Sequence, residues 1–338
     1  MAYTTIDDPS AYFKVQLYTG NGTVIGSGGN AITFDDTDTT MQPDLVWIKS
    51  RSTAEKHMLY DALRGVTKDL KPSETDAENT NTEGLTAIGS DGFTVGNADK
   101  VNASTVTYVA WCWKETATAG FDIVQYTGNG TDDTDISHSL SAVPHLMITK
   151  TTSAGTQEWC VYHHKNTSAP ETDQMFLNEN SATADSDAYW SDEAPTSSVF
   201  TVGTSGPTNR NATTMIAYLW SEKQGYSKFG TYTGNGNADG TFVWTGFRPA
   251  FIMIKRTDST GDWGIFDNKR EGYNDETNRL KPNGNDAEED DNFMDILSNG
   301  FKLRLTSSSI NASGGTFIYA AFAEAPLVNS NGVPCNAR

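Results

Sequence analysis

Short stretches of alternating apolar and polar residues recur along the chain, beginning with Phe13-Lys-Val-Gln-Leu17. A period of two places every second side chain on the same face, so this pattern predicts a β-strand with one buried face. Longer apolar runs, such as Pro43-Asp-Leu-Val-Trp-Ile-Lys49, predict the inner strands of a two-layer structure. Segments rich in Gly, Asn, Asp and Thr separate these runs. Together the patterns predict an all-β protein built from short strands and turns.

One pentapeptide, Tyr-Thr-Gly-Asn-Gly, occurs three times, at Tyr18–Gly22, Tyr126–Gly130 and Tyr232–Gly236. The same landmarks follow each copy in the same order: a proline-led apolar run ending in lysine, a Phe-centred segment, an Asn-Ala-Ser/Thr triplet and an aromatic strand. The apolar runs are Pro43–Lys49, Pro144–Lys150 and Pro249–Lys255, and the triplets begin at Asn102, Asn211 and Asn311. This ordered recurrence indicates three repeats of one structural unit.

Each repeat spans about 105 residues, which is close to the usual size of a domain. We therefore predict three tandem β-sandwich domains of jelly-roll or lectin-like topology, at residues 1–117, 118–223 and 224–338, the last with a short C-terminal tail. The repeats either follow one another as a rod or close into a ring with pseudo-threefold symmetry. The sequence is compatible with both arrangements.

The Asn-Gly pair in each pentapeptide readily takes positive φ at both central positions of a tight turn. A hairpin or tight turn is therefore expected after the first strand of each repeat. A Gly-rich phosphate-binding loop is the alternative, but no Lys-Ser/Thr pair follows and no helical pattern begins there.

The segment Ser52–Arg64 has helix-forming residues, but the other repeats favour a strand. Its counterpart Gly261–Ile265 contains two glycines, and Trp159–Tyr162 in the second repeat is typical of a strand.

An acid and a guanidinium follow this strand in two repeats, as Asp61 with Arg64 and Asp267 with Arg270. A catalytic acid beside an arginine is one interpretation, and a structural ion pair that anchors the loop is the favoured one. The second repeat has His163 and Lys165 in that neighbourhood.

The 338-residue chain carries 43 Asp and Glu against 24 Lys and Arg, a formal net charge of −19, so a nucleic-acid partner is not expected. The three cysteines, Cys112, Cys160 and Cys335, cannot all pair and occupy non-equivalent positions, so we expect free thiols. Free thiols are typical of a protein made in a reducing cytosol. The first residues lack the features of a signal peptide, and no apolar run approaches the length of a membrane span. Membrane insertion is therefore not expected.

Acidic clusters at Asp35–Asp38, Asp132–Asp135 and Glu288–Asp291 offer oxygen ligands for Ca²⁺, but none has the spacing of an EF-hand. We expect solvated loops, with no metal site and no cofactor. The five histidines lack the spacing of a zinc protease, and no Gly-x-Ser-x-Gly elbow is present. The chain is therefore not expected to be an enzyme; a catalytic role would have to use paired carboxylates.

Four tryptophans, Trp159, Trp190, Trp244 and Trp263, lie near predicted loops or strand ends. Indole rings in such places stack on sugar rings in carbohydrate-binding β-sandwiches, which makes these four the candidate glycan contacts. Filling of small cores is the favoured interpretation of the same side chains.

The chain resembles tail-fibre-like virion structural proteins of tailed bacteriophages, especially marine ones, over nearly its whole length. The resemblance is carried by Thr5–Phe13, Tyr18–Gly22, Pro43–Lys49 and Tyr60–Gly65, and most closely by the third repeat, through Gly225–Gly236, Gly246–Pro249, Ile254–Ser259, Ser298–Lys302 and Tyr319–Glu324. It implies a structural component of a phage particle with no catalytic residues.

From this resemblance we expect a non-enzymatic virion surface protein, either a tail fibre or a receptor-binding component. Capsid decoration, as a head fibre or cement protein, is the alternative, followed by a carbohydrate-binding module or a glycan depolymerase. The expected partners are other virion proteins, a host surface glycan or protein, and further copies of the chain in a symmetric assembly. The expected location is the virion.

Overall fold

The computed structural model describes residues 2–36, 38–271, 274 and 278–336, and these form an all-β protein. The first repeat contains β1 (Phe13–Thr19), β2 (Asn30–Thr33), β3 (Leu45–Ser50), β4 (Met58–Asp61), β5 (Lys68–Asp69), β6 (Asn79–Thr80), β7 (Leu85–Gly89), β8 (Gly92–Val95) and β9 (Thr107–Trp113). The second contains β10 (Phe121–Thr127), β11 (Thr134–Ser137), β12 (Leu146–Thr151), β13 (Cys160–His163), β14 (Asp173–Gln174), β15 (Ala184–Asp185), β16 (Val199–Val202) and β17 (Thr214–Trp220). The third contains β18 (Ser227–Thr233), β19 (Phe242–Trp244), β20 (Phe247–Arg256), β21 (Gly264–Asp267), β22 (Met294–Leu297), β23 (Gly300–Leu303) and β24 (Thr316–Pro326).

The helices are all one turn long. The α-helices are α1 (Asp99–Asn102), α2 (Asp187–Trp190) and α3 (Gly206–Asn209), and 3₁₀ turns lie at Pro9–Ala11, Ile25–Ser27 and Pro170–Thr172.

Each repeat forms a main sheet of four antiparallel strands with the same order: β1-β9-β3-β4, β10-β17-β12-β13 and β18-β24-β20-β21. A smaller sheet accompanies each one: β2-β8-β7, β11-β16 and β19-β23-β22. Every one of these sheets is made by strands from a single repeat. The sequence pattern therefore correctly predicted the fold class and the repetition of one sheet arrangement.

The proline-led runs form strands that are buried on both faces. In β3, Leu45 and Trp47 face a core that all three repeats share, whereas Val46 and Ile48 face a smaller core inside the first repeat. Because successive side chains of a strand point to opposite faces, a continuous apolar run is what such a strand requires. Each main sheet is therefore the middle layer between its own small sheet and the centre of the molecule.

The shared core lies where the three main sheets meet. Trp113, Trp220 and Phe322 occupy equivalent register positions in β9, β17 and β24. The Trp113 ring lies 6.1 Å from the Trp220 ring and 5.6 Å from the Phe322 ring, centroid to centroid. Equivalent side chains meeting at one point indicate a pseudo-threefold axis, so the repeats close into a ring rather than extend as a rod.

Hydrogen bonds between the repeats run in one direction around this axis. Each joins the residue that ends the fourth strand of one main sheet to the last strand of the next repeat. The pairs are Tyr218 Oη to Asp61 Oδ2 at 2.6 Å, His163 Nε2 to the Tyr319 carbonyl at 3.1 Å, and Trp111 Nε1 to Asp267 Oδ2 at 3.0 Å. Contacts therefore link first to second, second to third and third to first repeat.

The lysine that ends each proline-led run is buried and reaches the backbone of the preceding repeat in the ring. Each ammonium donates to carbonyl oxygens: Lys49 to Asn285 at 3.5 Å, Lys150 to Thr75 at 2.8 Å and Lys255 to Ser181 at 2.8 Å. Burial lowers the pKa of each lysine to about 8. The lysine that recurs in each sequence repeat therefore joins neighbouring repeats of the ring by hydrogen bonds.

The pentapeptide turn does not form the expected hairpin, because β1 pairs with β9 whereas β2 pairs with β8 in the other sheet. Only the last glycine has positive φ, 66° at Gly22, and no asparagine of the motif is among the described residues with positive φ. The Tyr18 hydroxyl donates to the Val101 carbonyl at 2.7 Å. The motif therefore carries the chain from the main sheet to the small sheet of the repeat.

A buried asparagine holds each of these turns, and the second repeat corrects the sequence alignment. Asn209 Oδ1 accepts the Asn129 backbone N–H at 2.8 Å, as Asn102 and Asn311 do for their turns. Asn211, the residue chosen from the sequence triplet, is exposed. An extra Asn-x-Thr sequence two residues later made the wrong asparagine look equivalent.

The segment after Ser52 contains strand β4, as the comparison of repeats predicted. The predicted structural ion pairs are confirmed as well. Arg64 Nε lies 2.6 Å from Asp61 Oδ2, and Arg270 Nε lies 2.7 Å from Asp267 Oδ2, with all four side chains buried. Because each aspartate also accepts a bond from the neighbouring repeat, the pairs anchor both the loop and the ring.

Candidate functional site

Three of the four candidate glycan contacts lie in the interior. Trp159 is 0% exposed, Trp190 1% and Trp263 1%. Trp159 and Trp263 belong to the shared core, while Trp190 lies in the separate core of the second repeat. A side chain at this depth presents no face to a sugar ring, so these three predictions are wrong, and the core-filling interpretation holds for them.

The buried indoles also join repeats. Trp159 Nε1 donates to the Lys71 carbonyl at 3.0 Å, and Trp263 Nε1 donates to the Phe176 carbonyl at 2.9 Å. Each bond crosses from one repeat to the one before it, and it satisfies the single donor of a buried indole.

Trp244 is 49% exposed and lies with Phe242, 46% exposed, on β19. This strand is at the edge of its sheet, and Val243 between the two aromatic residues points into the core. The alternation of the strand therefore places both rings on the same outer face.

The other repeats carry small or polar residues at these two positions. Ile32, Ile136 and Val243 are equivalent because each pairs with the phenylalanine of the following Phe-centred strand. Phe242 and Trp244 thus correspond to Ala31 and Thr33 in β2 and to Asp135 and Ser137 in β11. Because two repeats form the same strand without aromatic side chains there, the fold does not require Phe242 and Trp244.

The two rings border a groove of about 500 Å³ between the second and third repeats, which we call the Trp244 groove. The second repeat lines it with His145, His164, Lys165 and Glu222. The third repeat lines it with Lys228, Phe229, Phe242 and Trp244, among others. The Lys228 ammonium lies 5.7 Å from the centre of the Trp244 ring. The groove thus combines apolar rings with charged and hydrogen-bonding groups.

Both histidines of the groove are uncharged at neutral pH. Burial lowers the pKa of His164 to about 4 and lowers that of His145 as well. His164 Nε2 donates to the Phe229 carbonyl at 2.7 Å, and His145 Nδ1 accepts the Glu222 backbone N–H at 3.0 Å. The proton of neutral His145 is therefore on Nε2, where it can be donated.

Burial is the main cause of the lowered pKa of His145; the Glu222 carboxylate acts to raise it, and the ammonium groups of Lys165, Lys223 and Lys228 act to lower it. Lys228 Nζ lies 3.4 Å from Glu222 Oε1. Lys165 and Lys228 line the groove with one carboxylate, Glu222, so its lining has a local excess of positive charge in a chain whose net charge is −19.

The same place in the ring is built differently between the other repeats. Between the third and first repeats a cleft of about 280 Å³ is lined by two lysines, Lys14 and Lys269, and by three carboxylates, Asp35, Asp36 and Glu324. Between the first and second repeats, Glu115 lies near Asp44 and Asp122; burial, with these carboxylates, raises the pKa of Glu115 to about 7. The three equivalent junctions thus differ in charge, and among the residues that the structure describes the exposed aromatic pair occurs at the Trp244 groove alone.

The acidic clusters do not form a metal centre among the described residues, where no group of three or more His, Cys, Asp or Glu is arranged to hold an ion. Glu288, from one cluster, lies 2.6 Å from Arg51 and 3.2 Å from Arg270. Its side chain is nearly buried, so the prediction of a solvated loop is wrong at this residue.

The described cysteines are free thiols, with Cys112 and Cys160 buried and Cys335 exposed. None of the helices in the described part of the chain is long and apolar enough to cross a bilayer.

Trp244 could be singled out from the sequence, but the groove around it could not. Its partners Phe242, Lys165 and Lys228 come from two repeats, and no local pattern joins them. The available signal was the alignment of Ile32, Ile136 and Val243, which would have shown that only the third repeat has aromatic residues on either side.

The fold and the groove together define an all-β three-repeat ring with an aromatic surface groove. Residues 8–326 match the model of one protein family, and the chain belongs to that family, DUF7483, a domain of unknown function. The match spans all three repeats, so the family's unit is the whole ring. The comparison with curated proteins gave no match.

Proposed function

We propose that this protein is a non-enzymatic surface component of a tailed-phage virion that attaches the particle to its host through the Trp244 groove. The observation that carries the proposal is the asymmetry of the ring. Phe242 and Trp244 are exposed where the equivalent residues are Ala31, Thr33, Asp135 and Ser137. Exposed aromatic residues that the fold does not need are typical of a contact surface.

The rest of the structure suits an attachment protein. The shared core and the cyclic contacts fix the second and third repeats relative to each other, which pre-organises a groove built from both. Pre-organisation lowers the ordering cost of binding. The resemblance to tail-fibre-like virion proteins supports a location on the particle.

Labelling of intact particles with an antibody to this chain, viewed by electron microscopy, tests the location. Label at the tail is the expected result. An excess of the purified chain should also reduce adsorption of phage to host cells, whereas the Trp244→Thr variant should not. Absence of the protein from purified virions would overturn the proposal.

Capsid decoration is the second candidate, because a compact closed ring also suits a subunit that covers a capsid lattice. The same labelling separates the two. Label spread over the head, together with adsorption that is indifferent to the added chain, would favour decoration over attachment.

A further inference from the structure

We propose that the Trp244 groove binds an acidic saccharide, whose pyranose ring stacks on Trp244 while its carboxylate, sulfate or phosphate lies near Lys165 and Lys228. The biological role of this binding rests on the proposed function above. The binding itself is a property of the groove and is tested separately.

The aromatic pair argues for a ring-shaped ligand with an apolar face. Trp244 and Phe242 lie on one face of β19 and are about half exposed. A pyranose ring presents C–H groups on one face, which pack on an indole, and hydroxyl groups around its edge. An aromatic platform flanked by hydrogen-bonding groups matches both parts of such a ligand.

The groove supplies the hydrogen-bonding groups next to the platform. His145 Nε2 is a donor because its Nδ1 already accepts the Glu222 N–H. The Thr231 hydroxyl donates to the Phe317 carbonyl at 2.7 Å, which leaves its oxygen to accept. One donor and one acceptor beside an apolar surface can orient the hydroxyl groups of a sugar.

The local charge selects an acidic sugar over a neutral one. Two ammonium groups, Lys165 and Lys228, line the groove with one carboxylate, Glu222. Because the chain as a whole carries a net charge of −19, this local excess of ammonium groups distinguishes the groove for an anionic ligand. Lys165 is exposed on the rim of the groove, where its ammonium can reach a bound anion.

Isothermal titration calorimetry of the full chain against matched sugars tests the proposal. The acidic probes are trigalacturonic acid, 3′-sialyllactose and a sulfated heparin disaccharide, and the neutral probes are galactotriose and lactose. We expect one-to-one binding of at least one acidic probe, at least about tenfold tighter than its neutral counterpart, and weaker at higher salt.

Two variants locate the site, and the lysine variant has a matched control. Trp244→Thr introduces the residue found at Thr33, so the strand should form normally; it should weaken binding at least about tenfold. Lys165→Gln should weaken binding of the acidic probe at least about threefold and leave neutral sugars unaffected. Lys269→Gln changes the equivalent lysine of the cleft between the third and first repeats and should leave binding unchanged.

Three results would overturn the proposal: no saturable binding of any acidic probe, equal affinity for acidic and neutral sugars, or unchanged binding by a folded Trp244→Thr variant. These outcomes are distinct from failure of the proposed function. A chain that binds acidic sugars but is missing from virions would contradict only the virion role.

Discussion

At the scale of single residues, the buried asparagines hold the three turns through their side-chain amides. Asn209 Nδ2 donates to the Gly203 and Thr131 carbonyls at 2.7 and 2.8 Å, while its Oδ1 accepts the Asn129 N–H. Both the NH₂ group and the oxygen of this side-chain amide are therefore hydrogen-bonded, and the Asn209 side chain is fully buried. Removing it takes this partner from the buried Gly203 carbonyl and from the partly buried backbone bonds to Asn129 and Thr131.

We therefore expect Asn209→Ala to lower the free energy of unfolding by about 2–4 kcal/mol. Asn211→Ala, two residues away and exposed, is the control and should change it by less than about 0.5 kcal/mol. Urea denaturation followed by tryptophan fluorescence measures both. Equal losses for the two variants would contradict the assignment of Asn209 to the turn.

Residue identity alone could not separate the tryptophans. Trp159 and Trp244 both lie at strand boundaries in the sequence, yet one fills the shared core and the other is at the surface. The difference depends on which repeat packs over each strand, and that is a non-local property. The Asp61–Arg64 pair, by contrast, was predictable, because its recurrence as Asp267–Arg270 indicated a structural role.

At the scale of elements, the pentapeptide turn packs closely against the backbone of the segment that carries the buried asparagine. Gly20 lies against the backbone after α1, and a Cβ added there would overlap the Ala103 carbonyl oxygen. Gly128 and Gly234 are in the same situation with Arg210 and Ala312. The first glycine of the motif is therefore required by packing, and the last one by its positive φ.

Gly20→Ala should accordingly destabilise the protein by about 2–4 kcal/mol, because a fixed backbone carbonyl must move. Gly26→Ala provides the control, since a Cβ at that position meets no atom within 4 Å and φ there is not positive. Thermal unfolding by circular dichroism compares the two. If Gly20→Ala destabilised the protein no more than Gly26→Ala does, the turn at Gly20 would tolerate a side chain and the prediction would be wrong.

Strands were more predictable than their connections. The apolar run at Leu45–Ile48 required a strand with two covered faces, and the repeats resolved Ser52–Arg64 in favour of β4. The Asn-Gly pair instead suggested a hairpin, because that dipeptide is common in hairpins. Local turn chemistry fixes the direction of the chain at a turn, but not which sheet the next strand joins.

At the scale of the whole molecule, three buried lysines join the repeats at an energetic cost. The pKa values of Lys49, Lys150 and Lys255 are lowered by burial to about 8, below the usual 10.5. Between these values the unfolded chain binds more protons than the folded one, so stability rises with pH. Below pH 8 both states hold the proton, and the cost of burying the charge is present in full.

We expect the free energy of unfolding to increase from pH 8 to about pH 9. It should decrease above about pH 10, because tyrosines such as Tyr60 and Tyr226, whose pKa burial raises, then ionise only in the unfolded chain. Urea titrations at a series of pH values measure this curve. Lys255→Met should reduce the initial rise by about one third, and an unchanged rise would contradict the role of the buried ammonium.

The closed ring was one of two arrangements that the sequence allowed. The contacts between its repeats explain why the sequence did not choose between a ring and a rod. Tyr218 bonds to Asp61 and Trp111 bonds to Asp267 across large separations in the chain. In the third repeat the position equivalent to Trp111 and Tyr218 is Ala320, and His163 bonds to the backbone there instead. Contacts made with different atoms leave no shared signature in the sequence.

The ring of repeats also frees each junction from its neighbours. A homotrimer with exact threefold symmetry must present three identical junctions, and any substitution changes all three at once. Here one polypeptide encodes all three positions, so the aromatic Trp244 groove, the cleft at Lys14 and the carboxylates around Glu115 can diverge independently on one frame. A single subunit can thus change its surface chemistry at one junction while the other two continue to hold the ring together.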